Sequence, residues 1–356
     1  MEIAVLGGGN GSLAAAADLT ELGQNVRLWR RSAADVAAMP PALLLKDRFG
    51  ERAFEPAMIT ADLPVAVGGA QLIVCPTPAT AQPEIAVRLA PLLVEGQVVF
   101  MPPGSFGSYI MALAMKQAGN SANVSFGEAG TLPYLTRKHG SDTIAITTRA
   151  TRLPTGIFPR RNHAHALKII RQAYPAVEDA GDALSGALMN AGPIIHPPLI
   201  LMNAGPIEHF DHWDIHNEGT QPAIRRVTDD LDAERVAVRE ALGYGAPHFP
   251  LADHYHTDQW MYGNLAHERL TDSGDWREAL DLTGHRYMTE DVAIGLALLV
   301  SVADWAGVPC PVATGLLALG SAVSGTDFRA EGRTLETLDL SGLSGAEMAE
   351  MLENGL

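Results

Sequence analysis

An α/β domain on a doubly wound parallel sheet, followed by a mostly α-helical domain, is predicted by three observations. Strand and helix alternate from Ile3 to Trp29 around a glycine-rich turn. Two further apolar strands, each ending in a proline loop, come before residue 105. After Leu184 strand signals fade, and apolar residues recur at helical spacing. A chain of 356 residues also suggests two cores, and the boundary is placed near residue 180, giving domains 1–180 and 181–356.

Ile3-Ala4-Val5-Leu6 is an unbroken apolar run, as a strand buried on both faces requires. Gly7-Gly8-Gly9-Asn10-Gly11-Ser12 follows at once. An alanine-rich helix from Leu13 to Leu22 stops at Gly23, and a strand from Val26 to Trp29 completes a βαβ unit. A glycine cluster alone is a weak signal. Between a strand and a helix it is the fingerprint of a Rossmann-type dinucleotide site. Gly7 permits the tight turn and Gly9 lets the backbone approach a pyrophosphate. Asn10, Gly11 and Ser12 open a helix whose unpaired N–H groups favour an anion, with Ser12 where a third small residue is usual. A glycine turn without a ligand is the plainer alternative.

An acid at the end of the second strand would bond the adenosine ribose. This chain has Trp29-Arg30-Arg31 there, with no carboxylate and two guanidinium groups suited to a 2′-phosphate. NADP is therefore favoured over NAD; otherwise both arginines are solvated turn residues, or Arg30 stacks on the adenine. Leu72 to Pro78 and Val98 to Gly104 each read as a strand running into a proline-stiffened loop. Such loops fall at the carboxyl ends of strands and commonly flank the nicotinamide, which makes Pro76 a cofactor-binding candidate; purely structural turns are the alternative. Glu128 to Tyr134, with Arg137, is a dense cluster of polar and turn residues. Thr143 to Thr147 reads as a short strand, and His165 to Ala173 as a helix.

In the second domain, Ala223, Val227, Leu231 and Ala237 to Leu242 mark one long helix closed by Gly243 and Gly245. Thr289 is positioned to cap another, with Glu290 and Asp291 in its first turn and an apolar body to Trp305. Asn190-Ala191-Gly192-Pro193-Ile194-Ile195-His196-Pro197-Pro198 is unusual in a helical domain and is echoed from Asn203 to Ile207. His196, between an apolar run and a proline, is expected in a fixed, partly buried setting. A satisfied core histidine is the alternative.

Composition excludes several function classes. The formal net charge is -16, from 25 Lys and Arg against 41 Asp and Glu, so no basic footprint exists for nucleic acid or an anionic membrane. The longest apolar run, Val292 to Ala303, is too short to cross a bilayer. Cys75 and Cys310 share no metal-ligand spacing and read as buried thiols. With a strand already under way at Ile3, no leader is expected, and the location expected is cytoplasmic. Apolar surface on the second-domain helices leaves room for a homodimer.

Taken together, these pieces resemble the opine dehydrogenases, the octopine and nopaline dehydrogenase-like family. The resemblance is carried by the Gly7 to Ser12 turn, by Thr131-Leu132-Pro133-Tyr134 with Arg137, and by Asn190 with His196-Pro197. His285-Arg286-Tyr287-Met288-Thr289-Glu290-Asp291 completes it, and it spans nearly the whole chain in family order. It implies a nicotinamide-dependent reductive condensation of an amino acid with a 2-oxo acid, by hydride transfer to an imine. It maps the catalytic histidine onto His196 and its partner aspartate onto Asp291. Asn190, Thr131, Tyr134 and Asn203 become substrate-binding candidates. An imidazole titrating near neutral pH exchanges protons readily, and a carboxylate on its other nitrogen fixes the tautomer. Asp291 also sits where a helix dipole favours its charge, which is its purely structural explanation. Substrate carboxylates need cations, and Arg286 is the candidate to reach the cofactor pyrophosphate.

Three rival readings are weighed. Two-domain hydroxyacid and ketopantoate-type reductases use a lysine in the second domain, but Lys46, Lys116, Lys138 and Lys168 all precede the boundary. A metal enzyme would draw on the histidines, nine of twelve of which lie from His196 to His285. His212 and His216 have helix-like spacing, with His209, Asp211, Asp214, Asp253 and His254-Tyr255-His256 nearby. No complete metal motif is present, so no metal is expected. A non-catalytic dinucleotide sensor is the third reading.

Overall fold

The computed structural model describes residues 1–263 and 266–356. The chain divides into two compact units, Met1–Ala187 with Glu350–Leu356, and Leu188–Ala349.

The first unit is built on an eight-stranded sheet. From one edge its strands are Met58–Thr60, β2 (Asn25–Trp29), β1 (Glu2–Leu6), Leu72–Val74, Val98–Met101, Ser125–Ala129, Leu153–Phe158 and Val177–Asp182. The first six are parallel, in the doubly wound order that reverses between β1 and Leu72–Val74. Leu153–Phe158 runs antiparallel to Ser125–Ala129 and parallel to Val177–Asp182. The central strands are apolar because helices cover both faces: Ile3, Val5, Leu28, Val74 and Phe100 are fully buried. The helix α1 (Asn10–Glu21) lays Ala14 to Ala17 into the core, where small side chains let helix and sheet approach.

A second sheet was not foreseen. Its four strands, in order Gly50–Phe54, Leu43–Asp47, Thr143–Arg149 and Tyr134–His139, join two hairpins about a hundred residues apart. Thr143 to Thr147 is thus a strand, but of this sheet, and Tyr134 to Arg137 is strand as well. Asp18 on α1 ties the small sheet down, bonded by Arg149 Nε at 2.6 Å and by the Tyr134 hydroxyl at 3.1 Å. Arg149 and Arg52 also converge on Asp47, at 2.9 and 2.8 Å.

The second unit is mainly helical, with principal helices Gly192–Met202, Pro222–Ala241, Ala297–Ala306 and Pro311–Ser324. Pro222–Ala241 is the long helix expected, followed by Gly243 in the left-handed region. Two local expectations are corrected. The helix assigned to a Thr289 cap begins at Tyr287, and Tyr287–Leu296 winds as a π-helix before continuing as Ala297–Ala306. Residues 212–216 form no helix: Trp213–Asp214 pairs with Arg277–Glu278 as a two-stranded ribbon, which removes the supposed i, i+4 pair of His212 and His216.

Candidate active site

In the first unit the glycine turn lies at the carboxyl end of β1, beside the point where the strand order reverses. Gly7 has φ +112°, a conformation that disfavours any side chain, and its amide donates to Trp29 O. An added Cβ on Gly11 would fall 2.8 Å from Leu132 and 3.2 Å from Pro76, so close packing explains this glycine. Among the described residues no side chain caps α1, which leaves the N–H groups of its first turn available to an anion. A cavity of about 340 Å³ opens here, lined by Gly7, Gly8, Gly9, Ser12, Arg30, Arg31, Ser32, Asp35, Pro76 and Glu84 among others. These residues suit a dinucleotide: open space over Gly9, a bare helix N-terminus and two arginines at the far end.

Four sequence-derived assignments in this unit change. Asn10 Oδ1 accepts from the Lys138 amide at 3.0 Å, so its side chain fastens the small sheet. Ser12 lines the cavity, but its hydroxyl donates to Leu6 O at 2.9 Å and braces the turn. Arg30 is mostly buried and lies flat over Gly8, held by Asp35 at 3.1 Å, whereas Arg31 is exposed and pairs with Glu84 at 3.1 Å. Tyr134 is taken out of the substrate set: its ring is in the core, its hydroxyl bonds Asp18, and burial pushes its phenol well above the usual range. Thr131 is also nearly buried, in the connection leading to that strand.

In the second unit, His196 and Asp291 come together across 95 residues of chain. His196 Nδ1 and Asp291 Oδ2 are 2.7 Å apart, with the carboxylate buried and the imidazole partly exposed. Close approach of two helices makes this possible. A Cβ on Gly192 would fall 2.2 Å from Asp291 Oδ1, and one on Gly295 would fall 2.0 Å from the Pro193 ring. Asn190, buried, accepts from the Gly192 amide and so shapes the start of the His196 helix. Pro197 and Pro198 lie inside that helix, so the carbonyls of Pro193 and Ile194 lose the main-chain donor four residues on. Burial raises the Asp291 carboxyl to about 7, opposed by the positive charge of Arg286 and by His285. Arg286 is half exposed and pairs with Glu290 at 3.1 Å.

Asn203 is not a ligand group. It is buried, donating to Leu199 O at 2.9 Å and Gly219 O at 3.2 Å while accepting from Trp213 Nε1 at 3.1 Å. Two residues at the dyad had been given no part in it. The Tyr287 ring stacks on His196, with centroids 3.7 Å apart and planes 10° from parallel, and its hydroxyl is 2.7 Å from His216 Nε2. In the sequence Tyr287 carries no signal of such a role beyond its place in the His285 to Asp291 motif, and His216 suggests only a possible metal ligand.

A dinucleotide cavity on a doubly wound sheet and a buried histidine–carboxylate pair on a helical unit define a nicotinamide-dependent dehydrogenase. Residues 179–324 match the family model of the NAD/NADP octopine/nopaline dehydrogenase α-helical domain. Over that helical domain the chain is similar to the octopine and nopaline dehydrogenases. It is 28% identical to an opine dehydrogenase of Arthrobacter sp. (strain 1C), over 98% of each chain. Its fold matches an octopine dehydrogenase solved with NADH and agmatine at a TM-score of 0.73, with 19% identity over 99% of this chain and 98% of that one. A yersinopine dehydrogenase with NADP+ bound matches at 0.65, with 15% identity over 100% and 98%.

Proposed function

We propose that this enzyme condenses an amino acid with a 2-oxo acid and reduces the resulting imine to a secondary amine. The 2.7 Å pair of His196 and Asp291, in the unit matched by the family model, carries this reading. A bound NAD(P)H supplies the hydride. The imidazole takes a proton from the incoming ammonium group, so that a free amine attacks the keto carbon, and returns it as the carbinolamine oxygen leaves as water. Asp291 holds the Nδ1 proton, which fixes the tautomer and stabilises the imidazolium between those steps. Arg286 offers a cation to a bound anion. Overall, amine, 2-oxo acid, hydride donor and one proton give the opine, water and oxidised cofactor.

The cofactor reading is NADP, supported by Trp29 in place of an acid and by Arg31 and Ser32 on the cavity wall. Two free cysteines, Cys75 and Cys310, both buried, suit a reducing cytoplasm. Leu319 and Val323, exposed apolar side chains on the Pro311–Ser324 helix, are where a homodimer would bury surface, and light scattering reads that state.

The test is NADPH oxidation with pyruvate across a panel of L-amino acids. Turnover with at least one amino acid is expected, and His196→Ala should lower it by about 10²–10⁴-fold, the usual worth of a general acid–base group. A fully active His196→Ala enzyme overturns the site. No turnover with any amine, alongside intact NADPH binding, favours the sensor reading.

A further inference from the structure

We propose that Tyr287 is a positioning residue for His196: its ring, anchored through the hydroxyl to His216, holds the imidazole plane and stabilises the imidazolium. This inference rests on the reading of His196 as the proton carrier.

The geometry is specific. Centroids 3.7 Å apart and planes 10° from parallel put the phenol face against the imidazole face over most of their area. A tyrosine with two free torsions does not hold that pose by itself. Here the hydroxyl is fixed at 2.7 Å from Nε2 of His216, a buried histidine whose own amide bonds Asp214 Oδ1 at 3.1 Å. The Trp276 ring meets His216 edge-on at 5.1 Å and walls that side. Three fixed points therefore act on the catalytic ring: Asp291 in its plane at Nδ1, Tyr287 on one face, and the helix that carries it.

The π-helix accounts for the arrangement. Bonding from residue i to i+5 widens the turn, so Tyr287 and Asp291, four apart, reach the same imidazole, while Arg286 comes close to Asp291. The electron-rich ring face attracts a cation, so the stack favours imidazolium over neutral imidazole. Charged and titratable groups at the site, among the described residues, include Asp291, 2.7 Å from His196 Nδ1, Arg286 and His285, whose charges act on Asp291, Glu290 paired with Arg286, and His216, whose ring centroid is 6.0 Å from that of His196. Among the described residues, the Tyr287 ring lies flat against His196 and the His216 ring meets it edge-on.

The experiment is an NMR titration of the full chain carrying ¹⁵N-labelled histidine, with the His196 signal assigned by its loss in His196→Ala. In Tyr287→Leu the His196 pKa should fall by about half a unit to one and a half units, the range a desolvated cation–π contact supports. Tyr287→Phe keeps the ring and loses the anchor, so it should restore most of the value. An unchanged pKa in a folded Tyr287→Leu protein overturns the proposal. Should that variant unfold, the reading passes to Tyr287→Phe, where a fall of a few tenths of a unit is expected and no fall is fatal. The titration needs no substrate. A negative result here leaves the reductase reading standing, and a failed turnover assay leaves the stack to be judged by itself.

Discussion

The two adjacent arginines after β2 show how much one side chain's surroundings matter. Arg30 is mostly buried, engaged by Asp35 and packed on Gly8, so removing it would disturb the turn itself. Arg31 is 73% exposed and held by a surface pair with Glu84, which contributes little to stability. A 2′-phosphate would draw Arg31 from that pair into a charge-assisted bond. Arg31→Ala is therefore expected to raise the KM for NADPH about tenfold while leaving that for NADH nearly unchanged, consistent with ~1.5–3 kcal/mol for a hydrogen bond to a charged group. Steady-state kinetics with both cofactors check it, and an equal rise for both would show that Arg31 does not read the phosphate. At this scale the sequence disclosed chemistry better than environment. Gly7, Arg31, His196 and Asp291 were visible as residue types in order. Tyr134 and Asn203 looked equally suitable, and only their hydrogen bonds to Asp18, Leu199, Gly219 and Trp213 show that the fold itself uses them.

Elements joined by short connections were legible, and those joined by distant pairing were not. The βαβ start declared itself because strand, turn and helix are contiguous. The four-stranded sheet depends on Leu43–Asp47 finding Thr143–Arg149, and no local pattern encodes that partnership. The π-helix was read as an ordinary helix starting later, because Thr289 resembles a cap. In the structure its hydroxyl points back to His285 O. Gly295 gave a signal that was not used: a glycine within an apolar helical run costs about 1 kcal/mol against alanine and needs a reason. Its reason is the Pro193 ring, 2.0 Å from where a Cβ would stand. Gly295→Ala should therefore destabilise the protein by about 1–3 kcal/mol in a urea melt, as overpacking does, although alanine is the better helix former. It should also lower kcat, because the same contact sets how near Asp291 comes to His196. A gain in stability would mean that the helices have room to separate.

For the molecule as a whole, two sets of carboxyl groups pull stability in opposite directions with pH. Asp47, with Arg52 and Arg149 upon it, is held well below the usual carboxylate range. A group of that kind adds stability above its unfolded value, near 3.9, and the contribution disappears as pH falls toward the folded value. Asp291 is the reverse case. Burial raises its carboxyl to about 7, so its contribution is complete below the unfolded value and is lost as pH rises through neutrality. Formal net charge acts in the same sense as Asp291: at -16 the chain repels itself at pH 7, and carboxylate protonation relieves that. Thermal stability should accordingly peak at about pH 4, where the Asp47 contribution is complete and the loss at Asp291 begins. Melting temperatures taken from pH 2 to 9 would show it, and a maximum at pH 8 or above would contradict the buried state of Asp291. Two variants separate the limbs. Asp291→Asn should flatten the decline between about pH 4 and 7 while abolishing turnover, and Asp47→Asn should lower stability at neutral pH and leave a shallower fall in acid. If Asp291→Asn left the neutral limb as steep as before, the decline would belong to net charge alone, and the carboxylate of the dyad would be ionised throughout the working range.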